Sequence, residues 1–130
     1  MPIRIVRLGS ARTAGEGLRI GTVRRPPRGV PKARFAADDL YDVWYPNLAP
    51  SVPVMKLAQA ARTDAQWQAF ARAYRREMAA PDAAHSIALL AALSAHADFA
   101  VGCYCADAAH CHRSILRELL RDAGAVFAPD

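Results

Sequence analysis

Residues 98–124 read Asp98-Phe99-Ala100-Val101-Gly102-Cys103-Tyr104-Cys105, then Ala106-Asp107-Ala108-Ala109-His110, then Cys111-His112-Arg113-Ser114-Ile115-Leu116-Arg117-Glu118-Leu119-Leu120-Arg121-Asp122-Ala123-Gly124. The first part is apolar on both alternating faces through its middle, the pattern of a strand covered by helices on both sides. The last part places Ile115, Leu116, Leu119 and Leu120 at helical offsets and stops at Gly124, a residue suited to the left-handed turn after a helix. The stretch predicts a strand, a loop and a helix. The loop from Ala106 to His110 falls at the carboxyl end of the strand, where open parallel sheets gather their ligands.

Upstream, Pro2 to Leu8 alternates as a short strand does, and Leu18, Ile20 and Val23 mark a second, either hairpin-paired with the first or one crossover away. Arg24 to Pro53 has no period and carries six of the nine prolines. A long irregular connection of this kind is usually functional or disordered, and Tyr41, Trp44 and Tyr45 together argue for order. The segment is expected to pack over the domain as one wall of a pocket, with Asp42, Trp44 and Tyr45 on that wall.

Pro53 to Ala61 suits a short helix with proline in its first turn. Thr63 then offers an N-cap, and Trp67, Phe70, Ala71, Tyr74 and Met78 follow at offsets of three, four and seven, the clearest amphipathic helix in the chain. Ala83 to Ala95 predicts a further helix with Ile87, Leu90 and Leu93 turned inward, and Ala125 to Ala128 a last strand. Strands alternating with helices define an α/β class. One domain over residues 1–130 is expected, with a small, mostly parallel sheet flanked by helices in a three-layer, Rossmann-like arrangement.

The chain has 130 residues, 53% of them hydrophobic, enough for one core and not for two. It has no apolar run of the roughly 18 residues a membrane span needs and no signal-peptide core near its start, so a cytoplasmic protein without a membrane partner is expected. Lysine and arginine exceed the acidic residues by 17 to 12, a net charge of +5. Arg19, Arg24, Arg25, Arg28 and Arg34 cluster early. Arginine offers paired planar donors for phosphate and carboxylate, so anionic partners are favoured, from small phosphates to nucleic acid.

All three cysteines and two of the four histidines lie in the opening stretch. An odd count excludes a complete disulfide framework, and in a cytosolic setting reduced thiols are the default. On a strand Cys103 and Cys105 share a face; Cys103 lies deeper and reads as a small core residue, and Cys105 sits at the mouth. Cys111 begins the following helix, where unpaired N–H groups favour a thiolate or a bound anion. Arg113 lies in that first turn, against the dipole, so an anion is expected beside it: a ligand, or a carboxylate such as Asp107 or Asp42. Cys-x-Cys-x5-Cys-His lacks the paired C-x2-C spacing of structural zinc sites, and no metal is assigned from it. His110-Cys111 with Arg117 has the bare spacing of cysteine phosphatases, but the intervening residues contain no glycine and keep helical period.

With these residues in view, the chain resembles the YeaO-like proteins of domain-of-unknown-function family 488. Arg24-Arg25-Pro26-Pro27-Arg28-Gly29-Val30 is similar to that family's basic-Trp-Pro-Arg-Gly segment, with Pro26 in the tryptophan position. Trp44 to Ser51 is similar to its Trp…Ala-Pro-Ser segment. Trp67, Phe70, Tyr74 and Glu77 fit its aromatic helix, and Cys111-His112-Arg113 its Cys-His-Arg signature. The resemblance implies an α/β layered fold and a site near Cys111–Arg113, and it brings no activity with it.

The expected function is binding of a phosphate-bearing or other anionic small molecule by Arg113, Arg24, Arg25 and Arg28. Cys111 or Cys105 is the candidate nucleophile, and His110 or His112 the candidate base. The alternatives are a nucleic-acid-binding accessory protein and a thiol redox or metal module. The sequence names neither a cofactor nor a reaction, and it leaves the oligomeric state open.

Overall fold

The strand expected at Asp98–Cys105 is one of the two inner strands of a four-stranded sheet. The computed structural model describes residues 2–27, 29–104 and 111–129. Strands β1 (Ile3–Arg7), β2 (Leu18–Gly21), β3 (Val43–Trp44) and β4 (Phe99–Cys103) stand in the order β1-β4-β2-β3, every pair parallel. Ile3 and Ile5 pair with Phe99 and Val101 on one side of β4, and Ile20 pairs with Val101 on the other. A hairpin between the first two strands, one of the two arrangements expected, is therefore absent. Parallel neighbours need crossovers rather than tight turns, and β4 is inserted between β1 and β2. The strand expected at Ala125–Ala128 is a single parallel bridge, Ile3 to Phe127.

Helices α1 (Val52–Ala60), α2 (Asp64–Met78), α3 (Pro81–Leu93) and α4 (His112–Asp122) complete an α/β domain. The first three start for local reasons. The Ser51 hydroxyl accepts from the Val54 amide at the head of α1. Thr63 and Gln66 form a reciprocal capping box on α2. Pro81 opens α3, where its missing N–H is no loss. Gly124, at φ 95°, ends α4 in the left-handed conformation that favours glycine.

Period-two alternation sends Ile3, Ile20, Phe99 and Val101 to one face of the sheet. There they meet Phe70, Tyr74 and Met78 of α2, Ile87 and Leu90 of α3, and Ile115, Leu116 and Leu120 of α4. The other face is covered by loop rather than by the helices expected there. Val6, Leu8 and Val23 pack with Phe35, Leu40 and Tyr41, and a side chain at Gly21 would enter the Tyr41 ring. Beneath this loop cover lies an ion pair, with Glu16 at 3% and Arg19 at 0% exposure. The Arg19 guanidinium bonds both Glu16 carboxylate oxygens and the carbonyls of Ser10 and Asp39.

Candidate functional site

Where β4 ends and α4 begins, a cavity of about 640 Å³ opens beside the sheet. Its floor is made by Cys103 and Tyr104 from the end of β4, Cys111 and His112 from the start of α4, and Phe70 from α2. Met55, Ala58 and Gln59 of α1 form one side, and Arg24, Arg25, Pro26, Pro27 and Pro50 form the rim. The proline-rich connection thus supplies a wall, through residues other than those expected. Trp44 is 43% exposed and donates its indole N–H to the Val23 carbonyl at 2.8 Å. Tyr45 bonds the Ser86 hydroxyl, and Asp42 accepts from Arg12 and from the Arg19 amide. None of these three side chains lines the cavity.

His112 is held from two directions. Its Nε2 lies 2.8 Å from the Thr22 carbonyl, to which it donates, and its ring meets Tyr74 edge-on with centroids 5.5 Å apart. With the proton on Nε2, Nδ1 is an acceptor and lies 3.8 Å from the Cys111 sulfur. Burial lowers the imidazole pKa to about 4; the Thr22 bond opposes this and the Arg113 charge adds to it. A neutral imidazole orients the Cys111 S–H well, but it is a weak base for removing the proton.

Cys111 occupies the N-cap of α4 without a side-chain cap bond, so its sulfur lies at the end of the helix that favours negative charge. Cys103, the expected core residue, is 1% exposed and its sulfur touches that of Cys111. Their Cα atoms are 7.9 Å apart, beyond the roughly 4.4–6.8 Å that disulfides span. The pair is therefore two apposed thiols rather than a bridge.

Arg113 is 4% exposed and does not line the cavity. Asp42, one of the two carboxylates considered for it, is engaged with Arg12 and β2. Arg24 reaches the rim while bonding the carbonyls of Ala49 and Pro50, and Arg25 is exposed there. Cys105, His110, Asp107 and Arg28 lie outside the described residues. Arg19 is withdrawn from the basic cluster altogether, since a guanidinium at 0% exposure paired with Glu16 cannot meet a nucleic-acid phosphate. Arg117 lies over the Phe127 ring at 4.4 Å, away from Cys111 as its helical position requires.

Several residues of the site escaped the sequence reading. Thr22 acts through its carbonyl, which no side-chain pattern reveals. Phe70 and Tyr74 read only as core positions, yet one floors the cavity and the other seats His112. Glu77, beside them in the aromatic helix, accepts from the Ser51 amide at 2.9 Å and so fixes the entry to α1.

Fold and site together define a small parallel α/β domain with a buried thiol and imidazole cluster at the carboxyl end of β4. Residues 3–124 match the family model described as "Active DUF488-N3 subclade", DUF488-N3a. The chain belongs to the DUF488 family. Comparison with curated proteins and with solved structures returned no match. Among the described residues no helix is long and apolar enough to cross a membrane.

Proposed function

We propose that the domain binds a small molecule with an apolar or aromatic body and a phosphate or other anionic group, inside a cytoplasmic setting that keeps its thiols reduced. The observation that carries this reading is the cavity itself. Its body is lined by Phe70, Met55, Ala58 and prolines, and its rim carries Arg24 and Arg25. Ligand sites combine such a mostly apolar lining with a few placed polar groups. Arg25, exposed at the rim, can offer a paired donor face to an oxyanion. Arg24 has its orientation fixed by the Ala49 and Pro50 carbonyls.

Thiol chemistry at Cys111 is the finer part of the proposal. The helix N-terminus favours its thiolate, whereas His112 is suited to hold the sulfur in place rather than to act as its base. Support for the reading also comes from the family description, which calls the matched subclade active.

Calorimetric titration with a panel of nucleotides and aryl phosphates tests the binding. One charge-assisted hydrogen bond contributes about 1.5–3 kcal/mol, so Arg25→Ala should weaken the best ligand by roughly tenfold or more without unfolding the domain. Equal affinity in the two proteins would remove the anion from the proposal. Retained binding with lost turnover in Cys111→Ser would assign the sulfur to chemistry.

A further inference from the structure

The sulfurs of Cys103 and Cys111 and a ring nitrogen of His112 lie within 4.8 Å of one another, and all three residues are buried. We propose that this trio binds a thiophilic divalent metal ion of the zinc class, with a fourth coordination position open to the cavity.

Four observations meet here. Two thiolates and an imidazole suit zinc and disfavour magnesium or calcium, which take oxygen ligands. The imidazole is already oriented as ligating histidines are: one nitrogen donates to a backbone carbonyl, here Thr22 at 2.8 Å, and the other is left as a lone-pair donor. That second nitrogen faces the Cys111 sulfur. The positive end of α4 and the buried Arg113 favour the two thiolates a metal requires as ligands.

The separation of the Cys103 and Cys111 Cα atoms, 7.9 Å, is longer than a disulfide spans, and cysteines at that spacing can flank an ion once their touching sulfurs rotate apart. The pattern is hidden in sequence because the ligands come from the end of a strand and the first turn of the next helix, not from a C-x2-C knuckle. All three ligands also line the cavity. An ion there would present its remaining position to whatever enters, the arrangement of three protein ligands and one exchangeable site that zinc enzymes use. The proposal stands apart from the ligand reading, since it concerns the metal alone.

The test is the metal content of the full chain purified without oxygen under reducing conditions, followed by titration of the metal-free protein with Co²⁺. One ion per chain and a near-ultraviolet sulfur-to-cobalt charge-transfer band are expected. Loss of a mere outer-shell partner lowers affinity about 10–100-fold, so Cys111→Ser and His112→Gln should each weaken Co²⁺ binding by more than roughly tenfold. Serine is a good N-cap residue, so Cys111→Ser should keep α4 and its circular dichroism. Arg25→Ala should bind Co²⁺ as wild type does even where it loses the anionic ligand, which separates the two proposals. A folded wild-type protein with no charge-transfer band, or unchanged affinity in Cys111→Ser, overturns the metal site.

Discussion

Glu16→Ala should be among the most damaging single changes in this chain. It removes both acceptors that meet the Arg19 guanidinium, the Oε2 contact from Nε and the Oε1 contact from Nη2, each at 2.9 Å. Arg19 has no route to water, at 0% exposure, and its Nη1 remains committed to the carbonyls of Ser10 and Asp39. A buried charge is left half-compensated, which costs about 3–5 kcal/mol. Domains of this size have total stabilities of about 5–15 kcal/mol. With a urea m-value of about 2 kcal/mol/M, the unfolding midpoint should fall by roughly 2 M. The double variant Glu16→Ala with Arg19→Met removes the charge but takes the Arg19 donor from the Ser10 carbonyl, at about 1–3 kcal/mol, and leaves the Asp39 carbonyl with the Gly9 amide alone. It should recover only part of the loss. A Glu16→Ala midpoint within about 0.5 M of wild type would refute the claim that Arg19 depends on this carboxylate.

Acid should destabilise the metal-free domain through His112. Burial lowers its pKa from 6.5 to about 4, so between these values the unfolded chain takes a proton that the native one refuses. Stability is then full above about pH 6.5 and declines as pH falls toward 4, by about 3 kcal/mol at the limit, at about 1.36 kcal/mol per unit. Urea midpoints across that range should show the decline in wild type and a flatter profile in His112→Gln; parallel profiles would contradict it. Gly102→Ala would place a Cβ 2.5 Å from the Val6 carbonyl oxygen, inside the sheet. Overpacking against backbone should cost about 3 kcal/mol and lower Tm by roughly 10 °C, and a thermal melt within a few degrees of wild type would show that β1 can move aside.

What could be read in advance was whatever repeats with a period. Trp67, Phe70, Tyr74 and Met78 announce α2, and Ile115, Leu116 and Leu120 announce α4, because burial of one stripe forces apolar residues to recur every three to four positions. The partner of a strand is not written in the strand itself. Ile3 and Ile5 alternate identically whether their neighbour is β2 or the distant β4, so the hairpin could not be excluded. A two-residue strand such as Val43–Trp44 has no period to detect. Arg19 looked like one of a solvent-facing basic group, although it alternates with Leu18 and Ile20 in a strand and follows Glu16 by three residues, a signal that could have marked it as buried. At the site, the cysteines and His112 stood out by type. Their convergence depended on the Thr22 carbonyl and on where β4 ends, both tertiary facts.

The position of β4 also governs the order in which the chain can become a protein. β1 and β2 each pair with β4 and not with one another, so the sheet lacks its shared member until residues 99–103 exist. During synthesis, about three-quarters of the polypeptide would leave the ribosome with β1 unpaired and β2 joined to no strand but the two-residue β3. The helices α1 to α3 are local and can form earlier, but the contacts that close the sheet join residues distant in sequence, Ile3 and Leu18 with Phe99, a topology associated with slow folding. The segment that completes the sheet is the one that brings the cysteines and His112, so the domain acquires its architecture and its reactive side chains in the same step.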